Sequence, residues 1–210
     1  MSKHQAGCIV RQILSDGSHE VYRLRVTAVY RPEYWLDLEL RPDATLDDLD
    51  TFLRGIWLEC CGHLSEFTIG PEPDYDNFDP VAPPSPADQP PLRALLSMGQ
   101  KFGYRYDMGS STDLTVEVQA LERVGGTGGQ TLRLLARNLP PVLTCSKCTS
   151  PARWVHGWDY DERTGAPLLY CGRHGKSTRE EQLPVVNSPR MGECGYEGGN
   201  MDDWPKAEKA

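Results

Sequence analysis

The sequence predicts an α+β fold: a mixed or antiparallel sheet with one main helix, followed by a small cysteine-containing module. Three observations support this prediction. Apolar and polar residues alternate in several short segments, as in strands with one buried face. One segment repeats its apolar residues at three- and four-residue steps, as in a helix with one buried face. Near the C-terminal end, three cysteines and a histidine form two closely spaced pairs.

The first predicted elements form a β-hairpin. Apolar residues alternate with arginine and threonine at 21–30, which is typical of a half-buried strand. Pro32 ends this strand, because proline cannot donate a hydrogen bond to a sheet ladder. A second alternating segment follows at 34–40, so two strands are expected around a short turn.

The main helix is expected to begin after Thr45. Thr45 and Asp48 fit a capping box in which aspartate replaces the usual glutamate. Apolar residues then recur at helical spacing as far as Trp57. Acidic residues in the first turn suit the positive end of the helix dipole. We expect the helix to end near Gly62, which would act as its C-cap.

The middle of the chain predicts little regular structure before a second hairpin. A short strand is expected in the second half of 59–70. Residues 71–91 hold eight prolines and five acids, which indicates a solvated loop. One or two helical turns are expected at 92–98.

The second hairpin is expected from alternating segments at 102–108 and 114–120, with turn residues between them. A last strand is expected at 131–137. The aromatic residues of the first segment, together with Lys101 and Arg105, suggest a stacking surface for nucleic-acid bases. The interpretation that we favour is that these aromatic side chains belong to the core.

Composition and charge exclude several classes of protein. The 210 residues are 39% hydrophobic, so the chain is not disordered by composition. We identify no secretory signal and no apolar run that could span a bilayer, and we therefore expect a cytoplasmic protein with no membrane partner. The net charge of −8 disfavours general binding to phosphate backbones. That charge is concentrated at 36–91, with 13 acids and two arginines, so the argument applies only weakly elsewhere.

The strongest functional motif is C-x2-C followed by C-x2-H. Cys145 and Cys148 are separated by 22 residues from Cys171 and His174. Each pair can direct two ligands at one point, and four ligands close a tetrahedral shell suited to structural Zn²⁺. A redox CxxC would be expected to open a helix, and Pro151 argues against one. We therefore predict a small zinc-ribbon-like module.

Other cysteines and histidines are weaker candidates. The cysteine count of seven is odd, and with no export signal disulfides are not expected. Cys194 and His156 are reserve ligands for the predicted zinc site. Cys60 and Cys61 are interpreted as small apolar residues at a helix end. A second metal site there, with Cys194, is not expected, because adjacent cysteines lack the usual two-residue spacer.

Four motifs, in order along the chain, resemble a known family. They are VYRLRVT at 21–27, TLDDL at 45–49, HLSEF at 63–67 and FGYRYDMG at 102–109. Together they resemble the Ri-plasmid ORF-three-like domain family, also known as the insertion-element passenger TnpR-like family. The resemblance covers about residues 20–137. It implies an α+β domain, carries no established activity and suggests a link to mobile elements. The opening strand–strand–helix order is also that of β-grasp folds.

Further stretches resemble one subgroup of that family, common in prokaryotes. They are FLRGIWLECCGH at 52–63, LPVVNSPR at 183–190 and CGY at 194–196. The resemblance implies a cysteine-rich metal-binding segment after the α+β domain. The sequence departs from typical members at Met108 and at 110–112, where they carry Phe and Asp-Ser-Trp.

These observations predict four regions and one main function. The regions are an N-terminal extension at 1–20, an α+β domain at 21–140, a zinc-binding module with a C-terminal segment at 141–198, and a disordered tail at 199–210. We expect the protein to be non-enzymatic. It is expected to bind zinc and to act as a binding or adaptor module for a protein or nucleic-acid partner. The first alternative is a nucleic-acid-binding protein of mobile elements or defence. The second is an enzyme that uses His63 with a nearby cysteine or aspartate. The residues His63, Asp107, Ser110 and Ser111 are candidates for a binding cleft.

Overall fold

The computed structural model describes residues 18–70, 89–125, 130–163, 167–177 and 182–200. Much of three predicted regions lies outside these ranges. Of the N-terminal extension, the proline-rich loop and the tail, only 18–20, 89–91 and 199–200 are described.

Six strands form the larger sheet, and every pairing among them is antiparallel. In chain order they are β1 (His19–Ala28), β2 (Trp35–Leu40), β3 (Ser65–Thr68), β4 (Lys101–Tyr106), β5 (Thr112–Val124) and β6 (Leu132–Arg137). Their order across the sheet is β3-β4-β5-β1-β2-β6. The two predicted hairpins, β1–β2 and β4–β5, are confirmed. The α+β class is also confirmed, with an antiparallel rather than a mixed sheet.

The main helix, α1 (Leu46–Leu53), begins as the sequence predicts. The Thr45 hydroxyl accepts a hydrogen bond from the Asp48 N–H, and the Asp48 carboxylate accepts one from the Thr45 N–H. The α-helical geometry ends earlier than predicted, because a wider π-helical turn follows at Arg54–Leu58. All four residues from Gly55 to Leu58 are buried, which is more than one face of a regular α-helix can present.

A second helix, α2 (Leu92–Leu95), is a single turn that leads into β4. It confirms the shorter of the two lengths that the sequence allowed at 92–98. Within the described parts of the chain, no helix has both the length and the apolar character needed to cross a membrane.

The core lies between α1 and one face of the larger sheet. Its fully buried side chains include Leu24, Val26, Leu36, Leu38, Leu53, Ile56, Trp57 and Val116. The aromatic side chains of β4 belong to this core, since Phe102, Tyr104 and Tyr106 are all buried. The favoured core interpretation of β4 is therefore confirmed, and the stacking surface for bases is wrong.

The opposite face of the larger sheet carries charges that pair across strands. Glu39 is nearly buried and accepts from Arg23 at 2.9 Å and from Arg133 at 2.6 Å. Further pairs on this face are Arg25–Asp37, Lys101–Glu117 and Arg105–Asp113. The five cations of these pairs therefore already have carboxylate partners.

Three short strands form the smaller sheet. They are β7 (Trp154–Tyr160), β8 (Pro167–Tyr170) and β9 (Gln182–Pro184), in the order β8-β7-β9. After β9 the chain leaves this sheet, and residues 187–196 pack against the larger one. The predicted module at 141–198 therefore contains two parts: the smaller sheet and a segment docked on the α+β domain.

Candidate metal centres

The structure brings Cys145, Cys148, Cys171 and His174 together in one group, here called site 1. Their ligand atoms all lie within 4.8 Å of one another, which is close enough to hold a metal ion. The sulphurs of Cys148 and Cys171 are 3.9 Å apart. The Nδ1 atom of His174 lies 3.3 Å from the Cys145 sulphur and 3.6 Å from the Cys171 sulphur.

Two tight turns position the ligands of site 1. In the first, the Cys148 N–H donates to the Cys145 carbonyl oxygen, and the Lys147 N–H points at the Cys145 sulphur from 3.5 Å. In the second, the Gly175 N–H donates to the Cys171 carbonyl oxygen. Gly175 also packs tightly, because a Cβ there would lie 2.7 Å from the Trp154 ring. Glycine therefore allows the His174 turn to approach β7.

The surroundings of Cys145 favour its thiolate form. Burial raises the pKa of the Cys145 thiol, but the backbone N–H groups at Lys147 and Cys171 and the neighbouring side chains together lower the pKa to about 6. The neighbouring His174 side chain acts in the same direction. A thiolate is the form in which cysteine binds metals.

A second group, here called site 2, contains Cys60, Cys61, His63 and Cys194. Their ligand atoms also lie within 4.8 Å of one another. The Cys61 sulphur is 3.7 Å from the sulphurs of both Cys60 and Cys194. The Nε2 atom of His63 lies 2.9 Å from the Cys61 sulphur and 3.1 Å from the Cys194 sulphur. Site 2 is therefore also close enough to hold a metal ion, although the sequence argued against a second group here.

The backbone at Gly62 explains how adjacent cysteines contribute to site 2. Gly62 has a φ of +77°, in the left-handed region that glycine occupies readily. It does not cap α1, because the helical turns already end at Leu58. The reversal at Gly62 instead turns His63 back toward the Cys61 sulphur, so the absence of a two-residue spacer does not prevent convergence.

The two reserve ligands predicted for site 1 lie elsewhere. Cys194 belongs to site 2. His156 is buried on β7 and is not one of the four residues of site 1.

The predicted cleft residues lie near site 2 but do not form a catalytic triad. The Nε2 atom of His63 is 3.5 Å from the Asp107 carboxylate. A catalytic base uses one ring nitrogen for the nucleophile and the other for the orienting carboxylate. Here the same nitrogen, Nε2, faces both the cysteine sulphurs and Asp107. Ser110 contributes its carbonyl oxygen to Arg190, and Ser111 lines a cavity beside Pro189 and Glu193.

Arg190 is the residue that sequence reasoning missed. Its side chain is fully buried, and its Nη2 atom donates to the Asp107 carboxylate at 2.7 Å. Its Nη1 atom donates to the Ser110 carbonyl oxygen at 2.7 Å, and the guanidinium stacks on the Tyr106 ring. The only sequence signal was its place in the LPVVNSPR stretch.

The charge of Asp107 is stabilised by its neighbours. Burial raises the pKa of Asp107, but hydrogen bonds from the Gly109 N–H and the Arg190 guanidinium lower it. The net result is a carboxyl pKa below its usual range. Asp107 also has a φ of +66°, a conformation that aspartate tolerates better than most residues. This buried pair links the turn after β4 to the C-terminal segment.

Comparison with known proteins assigns no family to this chain. It matches no family model and no curated protein. Among solved structures it is similar to the crystal structure of MM3350, a protein of unknown function from Methanosarcina mazei Go1. The TM-score is 0.46 and the identity 17%, over 56% of this chain and 69% of that chain. This likeness is too distant to bear on function.

Proposed function

We propose that the protein binds zinc at site 1 and acts, without catalysis, as a binding or adaptor module. The observation that carries this proposal is the convergence of three cysteine sulphurs and one histidine nitrogen in site 1. Zinc binds these atoms at about 2.3 Å and about 2.0–2.1 Å, so a tetrahedral site has S–S edges of about 3.8 Å and S–N edges of about 3.6 Å. The separations of 3.9 Å between Cys148 and Cys171, and of 3.6 Å between Cys171 and His174, fit these edges.

A structural role for the zinc follows from the small core around site 1. Where the structure describes the side chains of 141–184, the buried apolar ones include Cys145, Val155, Tyr170 and Cys171, so two of the four are ligands of site 1. The sheet has only three short strands, and small domains commonly depend on a metal for stability. Zinc binding would then supply folding free energy to the smaller sheet.

The ligand count argues against catalysis by this zinc. A catalytic zinc keeps one coordination position for water or substrate, whereas site 1 offers four protein ligands. The arrangement of His63 and Asp107 does not supply an alternative catalytic centre, because both the sulphurs and the carboxylate face Nε2. The resemblance to the subgroup with a cysteine-rich segment supports the same proposal.

A binding surface for a polar partner is offered by the outer face of the larger sheet. A shallow cavity of about 440 Å³ lies beside β4 and is lined by both cations and carboxylates, including Lys101, Arg105, Glu66 and Asp113. Because Lys101 and Arg105 already pair with carboxylates, this surface suits a polar protein segment better than a phosphate backbone. The burial of the β4 aromatics removes the base-stacking groups that the nucleic-acid alternative required.

The proposal is tested by the zinc content of protein purified without chelators. We expect zinc in the wild-type protein and one zinc fewer in Cys148→Ser, with faster backbone hydrogen exchange in β7 and β8. Cys8→Ser is the matched control, because Cys8 is not among the ligands proposed for either site, and it should keep the wild-type zinc content. Wild-type protein without zinc, or an unchanged zinc content in Cys148→Ser, would contradict the proposal.

A further inference from the structure

Site 2 has the donor set and the spacing of a zinc site. Three sulphurs and one imidazole nitrogen converge, and the two sulphur–sulphur separations of 3.7 Å match the S–S edge of about 3.8 Å expected for tetrahedral zinc. The two nitrogen–sulphur separations, 2.9 and 3.1 Å, are shorter than the corresponding edge. All four ligand atoms lie within 4.8 Å of one another, so small side-chain rotations would complete the shell.

The groups around site 2 suit the charge that such a centre carries. Three thiolates, one neutral imidazole and Zn²⁺ have a net charge of −1. The fully buried Arg190 places its Nη2 atom 3.6 Å from the Cys60 sulphur, and the Tyr106 hydroxyl lies 3.8 Å from it. A guanidinium and a hydroxyl next to a thiolate stabilise its negative charge.

The ligands of site 2 come from two distant parts of the chain. Cys60, Cys61 and His63 follow the π-helical turn of the α+β domain, whereas Cys194 lies 133 residues beyond Cys61. Cys194 lies near the end of a docked segment, 187–196, whose Ser188 and Arg190 are buried. A metal at site 2 would therefore fasten this segment to the domain.

Hydrogen bonds already dock the same segment along its length. The Ser188 hydroxyl donates to the carbonyl oxygen of Trp57, in the π-helical turn, at 2.7 Å. Arg137 donates to the Asn187 carbonyl oxygen, also at 2.7 Å. These hydrogen bonds fix the position of the segment beside site 2, and they therefore preorganise Cys194 for metal binding.

We propose that Cys60, Cys61, His63 and Cys194 form a second structural zinc site, which clamps the C-terminal segment onto the α+β domain. This proposal extends the proposed zinc-binding function and does not depend on site 1. It assigns a role to the adjacent cysteines and explains why they lie beside a buried arginine.

The test counts zinc ions per chain in matched variants purified without chelators. We expect two in the wild type and in the control Cys8→Ser, one in Cys194→Ser, one in Cys148→Ser, and none in the double variant. The zinc counts therefore distinguish the absence of zinc at site 1 from its absence at site 2. One zinc in the wild type that Cys148→Ser loses and Cys194→Ser keeps would overturn site 2 alone. The reverse pattern would overturn site 1 alone.

A second measurement tests the clamp and needs no variant. Cys61 and Cys194 are exposed, so a thiol reagent can reach them in the folded protein. We expect both to react slowly in the zinc-loaded wild type and at least tenfold faster after a chelator removes the metal, with faster hydrogen exchange at 187–196. Equal reaction rates with and without zinc, or a Cys61–Cys194 disulfide that forms in a buffer containing a thiol reductant, would overturn the proposal.

Discussion

Replacing Arg190 with methionine tests how the C-terminal segment is held on the α+β domain. Methionine keeps most of the apolar volume but removes the charge and every donor. The change leaves the Asp107 carboxylate, which is 7% exposed, without its cation, and the Ser110 carbonyl oxygen without its donor. It also removes the guanidinium from the Tyr106 ring.

The magnitude follows from the geometry of the pair. At the observed 2.7 Å separation and an effective dielectric constant of about 20, the attraction between Arg190 and Asp107 is about 6 kcal/mol. Desolvation of both groups offsets part of it, and breaking a buried pair by removing one partner costs about 3–5 kcal/mol. We expect Arg190→Met to lower the free energy of unfolding by about that amount.

Urea denaturation with a constant excess of zinc, followed by tryptophan fluorescence, measures this loss. Asp107→Asn in the Arg190→Met background should recover part of it, because no buried carboxylate then remains. The matched control is Arg41→Met, since Arg41 pairs with Asp43 at the same 2.7 Å but on the surface, where such pairs add little. A loss below about 1 kcal/mol for Arg190→Met would refute the reasoning, since that is the range of an exposed pair.

Three further predictions concern the helix, site 1 and nucleic acid. Thr45→Ala should lower the free energy of unfolding by about 0.5–2 kcal/mol in the same assay, because it removes the cap of α1, and Thr45→Ser should not. Gly175→Ala should speed zinc release from site 1 to a chromogenic chelator, whereas Gly172→Ala should not, because its Cβ would make only an ordinary contact of 3.8 Å. In mobility-shift assays at low salt, we expect no binding to single- or double-stranded oligonucleotides, and a salt-sensitive shift would contradict this.

The local parts of the fold could be predicted from the sequence. Alternating residues and a proline mark β1 and β2, and the capping residues mark the start of α1, because these signals lie within a few residues of the structure that they determine. The placement of β1 beside β5, and of β2 beside β6, could not be predicted. Many pairings bury the same apolar faces, and the periodicity of one strand does not identify its neighbours.

The same contrast separates the two candidate metal sites. Each ligand pair of site 1 lies within four residues, so its convergence follows from one tight turn. Site 2 depends on the left-handed backbone at Gly62 and on a cysteine 133 residues away. Arg190 is similar, because a single arginine in a loop carries no pattern that indicates complete burial against Asp107.

The central claim, that the protein holds two structural zinc ions, is tested most directly by anomalous X-ray scattering at the zinc edge from crystals grown without added metal. The account predicts two anomalous peaks, one within about 2.0–2.3 Å of all four ligand atoms of each site. A zinc peak missing from either site would contradict this claim.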